Sequence, residues 1–446
     1  MSATIVTRRA RLADVAAGLR AARRLTAHDR FDRARLLAWQ AERVRALEAF
    51  ARARSPFYRD RDPSQTIDKA TLMANYDDVL TDRRLSLARL DAHIDALAGD
   101  ELLDGEYRVM ATGGTTGRRA VVPYSREEWR MAMAAFFRWT AITGRTPAPR
   151  RRVAVVLAPA PQHMTWRYAR TADFGLLDVL RLDAAQRLED LIARLNAFGP
   201  RELSGYPSAL TLLAHAQLEG RLRIAPRFVA TSGEVRTPEM VTAMADAWGV
   251  RPFDMYAITE GGITATDCPQ HAGLHVLEDQ VRVEVLDDDG APVPDGGVGR
   301  LVITPLHGRT LPLLRYEMGD LVRAGTEPCP CGRPYLRLLE IQGRQDDVLM
   351  LPGARGGTVA VHPILVRSPM AAVPGLDRYQ LVSADGMLRV RVTLRPDTDA
   401  ARATAAARDG LQAALRDVGA AAGVEVDLVD DIPCSGVGKH RLVAQA

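Results

Sequence analysis

Residues 112–117 of this 446-residue chain form a segment rich in glycine and threonine, here called the glycine/threonine loop. It consists of Thr112, Gly113, Gly114, Thr115, Thr116 and Gly117. Glycine lets the backbone approach a ligand closely, and successive backbone N–H groups in such a turn form a concave site for anions. Arg118 and Arg119 follow and add positive charge. The segment lacks the spacing and the lysine of a Walker A motif, so it predicts a phosphate-holding loop of another kind, with a plain connection as the alternative.

Cysteine and histidine side chains form a second group that could do chemistry. Cys329 and Cys331 are a close pair, and Cys268 lies upstream with His271 and His275 shortly after it. Thiolate and imidazole are zinc ligands, and three cysteines with one histidine make a closed structural site. The Cys-x-Cys pair is tighter than the usual finger spacing, so buried reduced thiols are the alternative. The spacing leaves open which histidine would be the fourth ligand.

Composition limits the kind of protein. Hydrophobic residues make up 47% and charged residues 26%, with a net charge of +4, which is ordinary for a soluble globular protein. No basic block suggests nucleic-acid binding, and a mildly basic surface suits an anionic small molecule. No stretch approaches a transmembrane length, residues 1–24 lack the apolar core of a signal peptide, and four cysteines do not suggest a disulfide scaffold. We expect a cytoplasmic protein without nucleic-acid or membrane partners.

The hydrophobic pattern predicts the elements that position these groups. Helical periodicity predicts a long helix over residues 31–58, which Pro56 ends, and Asp68 is a candidate N-cap for another helix. Strand-like and helical segments then alternate as far as residue 248. Strands are predicted at residues 120–123, 152–157, 177–182 and 228–230, and helices at 127–143 and 238–248. This alternation predicts an α/β sheet, with ligands beyond the carboxyl ends of its strands and a hairpin around the glycine/threonine loop.

The pattern changes in the second half of the chain. Val281, Val283 and Val285 alternate with charged residues, which predicts an antiparallel β region. Further on, alternation at residues 388–392 and an alanine-rich helix at 400–418 predict a small α+β domain of about a hundred residues.

Several short motifs follow one another in a recognisable order. They are the glycine/threonine loop, Ser232-Gly233-Glu234, Tyr256-Ala257-Ile258-Thr259-Glu260, Arg315-Tyr316-Glu317-Met318-Gly319-Asp320, Gly343-Arg344-Gln345-Asp346-Asp347 and Ser435-Gly436-Val437-Gly438-Lys439. The series resembles the adenylate-forming, or acyl-CoA synthetase-like, superfamily, and most of all its branch of phenylacetate–CoA ligases and capsule-biosynthesis proteins. The resemblance implies a large N-terminal α/β adenylation domain with an antiparallel β region over residues 1–342, and a small mobile α+β domain over residues 343–446.

The resemblance implies ATP-dependent activation of a carboxylic acid to an acyl-adenylate, with release of pyrophosphate. The glycine/threonine loop would hold the β- and γ-phosphates. Glu260 would orient Mg²⁺, for which carboxylate oxygen is a suitable ligand, and Thr259 would bond the α-phosphate. Lys439 would bridge the carboxylate and the α-phosphate as charge develops. Asp346 would be the hinge about which the C-terminal domain rotates.

The nucleotide would contact five further residues according to the same resemblance. Tyr256 would place its ring against adenine, and Gly233 and Glu234 would form the turn that meets the adenine edge. Asp320 would accept both ribose hydroxyls, because a carboxylate has two acceptor oxygens. Arg344 would contact the ribose or a phosphate.

A third set of residues is predicted to bind the carboxylic acid and the structural zinc ion. Tyr206 belongs to a segment that resembles the acyl-pocket loop of the family. His163 and Trp166 follow a predicted buried strand and could reach the same pocket. Tyr206 and Trp166 together hint at an aromatic acid. His275 stands in the Gly-Leu-His pattern of this branch, so the resemblance prefers it over His271 as the zinc ligand beside the cysteines.

The acyl acceptor is the point at which the chain departs from its relatives. After the hinge motif, residues 352–357 lead to residues 362–367, where a proline is present but the acidic residues that usually follow it in this branch are not. That region takes part in thiol binding in related enzymes. CoA is the expected acceptor, and an amine, a hydroxyl or a carrier-protein thiol is the alternative. A nucleotide-binding pseudoenzyme is a third interpretation, and a homodimer is plausible for this branch.

Overall fold

The computed structural model describes residues 3–111, 120–145, 150–158, 160–184, 186–344, 347–361, 365–366, 369–370, 373–384, 386–432 and 442–444. The α-helices are α1 Arg8–Thr26, α2 Arg33–Arg54, α3 Lys69–Ala74, α4 Tyr76–Val79, α5 Leu87–Asp95, α6 Arg126–Ile142, α7 Met164–Thr171, α8 Leu188–Phe198, α9 Pro207–Leu218, α10 Pro238–Trp248 and α11 Ala400–Asp417. None of these helices in the described part of the chain is long and apolar enough to cross a membrane.

The strands complete the architecture. They are β1 Ala3–Ile5, β2 Glu101–Leu103, β3 Arg108–Ala111, β4 Val121–Tyr124, β5 Arg151–Leu157, β6 Leu177–Asp183, β7 Glu202–Gly205, β8 Phe228–Ser232, β9 Phe253–Ile258, β10 Gly262–Thr266, β11 Leu274–Val276, β12 Val281–Leu286, β13 Val298–Pro305, β14 Tyr316–Gly325, β15 Arg337–Arg344, β16 Leu349–Pro352, β17 Thr358–Val361, β18 Leu376–Ala384, β19 Met387–Leu394, β20 Gly423–Leu428 and β21 Val443–Ala444.

One large sheet dominates the described residues. Its strand order is β12-β13-β14-β15-β11-β10-β9-β8-β7-β5-β6. The strands from β6 to β9 in this order are parallel, and those from β9 to β12 are antiparallel. This architecture confirms the predicted α/β fold with an antiparallel β region.

The inner parallel strands β5, β7 and β8 are largely buried between helices on the sheet faces, which is usual for parallel sheets, whereas the edge strand β6 is mostly half-buried or exposed. All of β8 is buried, and the side chains of Val156, Leu203 and Val229 are fully buried. Leu210 of α9 and Met244 of α10 join the same apolar cluster. The carboxyl ends of these strands are therefore held by a rigid core.

The N-terminal helices pack against this sheet. The predicted long helix is α2, which Asp32 caps, and a 3₁₀ turn at Pro56–Tyr58 follows it. The Gln40 side-chain amide donates to the carbonyl of Glu278 at 2.8 Å and so joins α2 to the β11–β12 connection. Asp68 caps α3 as predicted, because its carboxylate accepts the N–H of Thr71 at 2.8 Å.

The predicted hairpin around the glycine/threonine loop is formed by β3 and β4. These strands pair antiparallel, and Ala111 and Val121 are the last register partners before the connection. The loop residues themselves, with Arg118 and Arg119, lie outside the described residues. Helix α6 follows directly with a capping box, in which Ser125 and Glu128 exchange backbone-to-side-chain hydrogen bonds.

The C-terminal part has its own sheet and its own core. Strands β20, β19, β18 and β21 form the sheet, and the apolar face of α11 covers it. Val390 and Leu411 are among the fully buried side chains of this core. Arg395 reaches the large part of the protein, where its Nη1 lies 2.8 Å from Oε1 of Glu219. The domain boundary at residue 343 and the mobility of this part stay predictions, and Asp346 lies outside the described residues.

Candidate active site

A large cavity lies at the carboxyl ends of the parallel strands. Its volume is about 1390 Å³. Leu157, Ala184, Tyr206, Ser232 and Thr259 line it from the ends of β5, β6, β7, β8 and β9 or from the residues that follow them. Because all these strands run in one direction, their ends meet at one edge of the sheet, where α/β proteins bind ligands.

Tyr256 and Asp320 meet at the wall of this cavity. Tyr256 lies on β9 and Asp320 on β14, and the tyrosine hydroxyl donates to Oδ2 of Asp320 at 2.6 Å. Burial, reinforced by the carboxylate, raises the pKa of Tyr256 well above its usual value. Tyr256 therefore stays a neutral donor, and this bond holds its hydroxyl against Asp320.

Arg344 stands beside Asp320 on the neighbouring strand. The two residues are register partners of β14 and β15, and both line the cavity. Arg344 donates through Nη2 to the carbonyl of Met318 at 3.0 Å. Gly319 makes this possible: its φ is +71°, and a Cβ there would lie 3.1 Å from the same Nη2. A carboxylate and a guanidinium thus face the cavity side by side.

Thr259 and Glu260 form the turn between β9 and β10 and also line the cavity. The Tyr124 hydroxyl, on β4, donates to the carbonyl of Thr259 at 2.8 Å. Burial raises the pKa of Glu260, and the charges of Arg344 and Lys69 partly offset that effect. A carboxylate in this position favours a neighbouring cation, since a cation offsets the cost of its ionisation.

Gly233 and Glu234 follow β8 and reach the cavity as well. The Glu234 carboxylate accepts the backbone N–H of Ser208 at 3.1 Å, in the first turn of α9. A negative charge is favourable there because the helix N-terminus carries unpaired N–H donors. This contact ties the turn after β8 to the segment around Tyr206.

Two of the predicted substrate-pocket residues lie at the cavity and one does not. Tyr206 and His163 line it, and burial raises the pKa of Tyr206 to about 12. Trp166 instead lines a separate cavity of about 450 Å³, together with Arg170 and Arg181. Side chains on α7 turn by about 100° per residue, so Met164 and Trp166 cannot face the same side. The structure therefore separates Trp166 from the other two residues, contrary to the expectation.

Lys69 is a cavity residue that the sequence analysis missed. It is the first residue of α3, directly after the cap Asp68. A parallel bridge between Ile67 and Tyr316 carries this segment to the edge of β14 and so to the cavity. The cap was visible in the sequence, but the bridge that brings Lys69 to the site was not. Lys439 lies outside the described residues.

Cys268, His275, Cys329 and Cys331 converge on one point. Their ligand atoms all lie within 4.8 Å of one another. The sulfur atoms of Cys268 and Cys329 are 3.8 Å apart, and Nε2 of His275 is 3.3 Å from the sulfur of Cys331. Three soft sulfur donors and one imidazole are the donor set of a closed zinc site, so these residues fit that metal.

The two candidate histidines have different surroundings. His275 lies on β11, and burial lowers its pKa to about 4, so the imidazole is neutral and can ligate a metal. His271 instead places Nδ1 2.6 Å from Oδ2 of Asp267. The backbone N–H of Cys268 donates to the other oxygen of Asp267 at 2.8 Å. His271 therefore lies beside the cluster as a partner of Asp267, and His275 is within it.

Comparisons with known proteins agree with this arrangement. The AMP-binding enzyme family matches residues 104–305. Phenylacetate-coenzyme A ligase of Thermus thermophilus is 29% identical over 378 residues, which cover 78% of each chain. Protein CapK of Staphylococcus aureus is 25% identical over 54% of this chain and 53% of its own.

A solved structure is similar over most of the chain. A 2-hydroxyisobutyryl-CoA ligase in its postadenylation state superposes with a TM-score of 0.71 at 21% identity, over 91% of this chain and 89% of that one. The motif order and the cavity at the strand ends agree with these similarities. The chain is similar to AMP-binding enzymes over residues 104–305 and to phenylacetate–CoA ligases over most of its length, and it has the fold of acyl-CoA ligases.

Proposed function

We propose that this protein is an AMP-forming carboxylic acid–CoA ligase. In the first step the acid carboxylate attacks the α-phosphorus of ATP, and the bond to pyrophosphate breaks. In the second step a CoA thiol attacks the acyl carbon of the adenylate and AMP leaves. The observation that carries this proposal is the convergence of Tyr256, Glu260, Asp320 and Arg344 on one cavity at the strand ends, in a chain similar to phenylacetate–CoA ligases.

The nucleotide would lie along the wall formed by β8, β9, β14 and β15. Tyr256 offers a ring face for adenine, held by its bond to Asp320. Gly233 and Glu234 supply the turn at the adenine edge. Asp320 accepts the ribose hydroxyls. Arg344 beside it donates to the ribose or to a phosphate.

The reacting groups would meet near the β9–β10 turn. Thr259 donates to the α-phosphate, and Glu260 would hold Mg²⁺, for which a carboxylate with a raised pKa at a cavity wall is a fitting ligand. When bound, Mg²⁺ neutralises the charge of the phosphates. The glycine/threonine loop and Lys439 complete the site in this proposal, with Lys439 stabilising charge that develops between the carboxylate and the α-phosphate.

The acid would occupy the side of the cavity near Tyr206 and His163. Met164 and Ala209 line the same cavity and add apolar surface. A tyrosine ring beside apolar side chains favours a flat apolar group over a charged one, because aromatic faces pack well against one another. We therefore infer an aromatic carboxylic acid as the substrate class.

Two structural assignments complete the proposal. Cys268, His275, Cys329 and Cys331 would bind structural Zn²⁺, supported by the convergence of their ligand atoms. Residues 343–446 would form a domain that turns about Asp346 between the two steps, supported by its separate apolar core.

The alternative acceptor is an amine, a hydroxyl or a carrier-protein thiol. It is favoured by one feature of the sequence: residues 352–367, after the hinge motif, lack the acidic residues that are usual there in this branch. In the structure, residues 353–357 form the turn between β16 and β17 and present Arg355 to solvent.

The test is pyrophosphate release from ATP and Mg²⁺ against a panel of aromatic and aliphatic acids, with and without CoA. Release with aromatic acids, followed by a CoA thioester detected by mass spectrometry, supports the full proposal. Release without thioester formation supports the alternative acceptor. No release with any acid would contradict adenylation as the activity.

A further inference from the structure

Tyr124 makes a contact that joins two parts of the site. Its side chain is only 8% exposed, and its hydroxyl donates to the backbone carbonyl of Thr259 at 2.8 Å. The carbonyl lies in the turn that also carries Glu260. Burial raises the pKa of Tyr124 well above its usual value, so the hydroxyl keeps its proton and remains a donor.

The other end of this contact is firmly held. Tyr124 lies on β4, whose pairing with β3 encloses the glycine/threonine loop. Tyr76 donates its hydroxyl to the carbonyl of Val121 on the same strand at 2.5 Å. The ring of Tyr124 also meets Trp129 edge-on, with centroids 6.4 Å apart. Because β4 is held by these contacts, the position of the Tyr124 side chain is fixed together with the β3–β4 hairpin.

The β9–β10 turn is packed against a second tyrosine. Gly262 has a φ of +74°, and a Cβ on it would lie 3.2 Å from the hydroxyl oxygen of Tyr168. Tyr168 itself stacks on Trp129 at 5.1 Å. Trp129 thus contacts both tyrosines, and the turn rests on a buried aromatic layer that continues to β4.

We propose that Tyr124 is a positioning residue that fixes the turn of Thr259 and Glu260 relative to the paired strands β3 and β4. This inference rests on the proposed function. Glu260 would hold Mg²⁺ from this turn, so the position of the turn sets how well its carboxylate engages the ion. The hydroxyl of Tyr124 acts through the carbonyl of Thr259 and touches neither substrate nor metal.

The experiment compares Tyr124→Phe with Tyr58→Phe. Tyr58 is the control, since it is also buried and donates to the carbonyl of Pro312 at 2.9 Å, away from the cavity. Its hydroxyl also accepts the N–H of Leu314 at 3.2 Å. Pyrophosphate release is measured as a function of Mg²⁺ at saturating ATP and acid, alongside thermal unfolding. Loss of one neutral hydrogen bond predicts a rise in half-saturating Mg²⁺ of roughly 2- to 10-fold for Tyr124→Phe and a similar fall in kcat.

The control is expected to lower the unfolding temperature and leave the Mg²⁺ requirement at the wild-type value. An unchanged Mg²⁺ requirement in Tyr124→Phe, or an equal rise in both variants, would overturn the inference while the proposed function stands. Absence of pyrophosphate release from the wild-type protein would contradict the proposed function and this inference together.

Discussion

Replacing Asp320 by asparagine tests the negative charge at the wall of the cavity where the nucleotide is proposed to bind, here called the nucleotide wall. The substitution keeps the size of the side chain and leaves an amide oxygen that can accept the Tyr256 hydroxyl, whose bond to Asp320 is 2.6 Å long. What is lost is a charged acceptor for the ribose hydroxyls and the partner charge beside Arg344. We therefore expect weaker ATP binding with little change in folding.

The magnitude follows from the contacts. A hydrogen bond to a charged group contributes about 1.5–3 kcal/mol, which corresponds to roughly 10- to 150-fold in affinity. Asp320 is partly exposed to the cavity, so the lower part of this range applies, about 10- to 40-fold. Tyr256→Phe removes the neutral donor alone and is expected to cost roughly 2- to 10-fold.

Calorimetric titration of ATP, with pyrophosphate release at varied ATP, measures both effects. Glu340→Gln is the matched control, because Glu340 also lies on the β14–β15 pair and contacts Arg323 at 3.1 Å, outside the cavity lining. An ATP affinity in Asp320→Asn equal to that of wild type, in a folded protein, would refute the assignment of Asp320 to the ribose.

Three further predictions test other parts of the site. Lys439→Ala is expected to reduce adenylate formation roughly 100-fold or more while sparing ATP binding, and rapid-quench assays would check this; full adenylation in this variant would contradict its role. Cys331→Ser is expected to lose bound zinc and several kcal/mol of stability, whereas His271→Asn keeps the metal, as measured by metal analysis and thermal unfolding; equal metal content in both variants would speak against the site. Burial raises the pKa of Glu260 and Mg²⁺ requires its carboxylate form, so half-saturating Mg²⁺ should fall as pH rises through that pKa. Glu260→Gln should remove this pH dependence, and a dependence that survives the substitution would assign it to another group.

Local signals explain why much of the fold was predictable from the sequence. The helix predicted at residues 238–248 is α10, with the same bounds. Thr237 caps it through its side chain, Pro238 occupies the first turn, and Gly249 ends it in the left-handed conformation. These three signals lie within a few residues of the helix, so no tertiary information was needed.

Residues whose place depends on distant parts of the chain were harder to predict. Lys69 reaches the cavity through the bridge between Ile67 and Tyr316, which are far apart in sequence. The choice between His271 and His275 follows from strand pairing, since His275 is the register partner of Thr266. Trp166 was wrongly predicted to line the large cavity. Each step along helix α7 turns the side-chain direction by about 100°, and Trp166 faces the smaller cavity instead.

The cysteine and histidine cluster lies near the ends of β10, β14 and β15 that are opposite to the cavity. β10 begins two residues after Glu260 and ends two residues before Cys268. β14 carries Asp320, and the connection that follows it carries Cys329 and Cys331. β15 then returns to the cavity and ends at Arg344.

This placement argues for a structural role of the cluster. A metal there would join the connection after β10 to the connection between β14 and β15. Cross-linking the far ends would hold the register that places Asp320 opposite Arg344. Because the ligand set of three cysteines and one histidine leaves no open coordination position, such a metal would support the nucleotide wall without contacting the reacting groups.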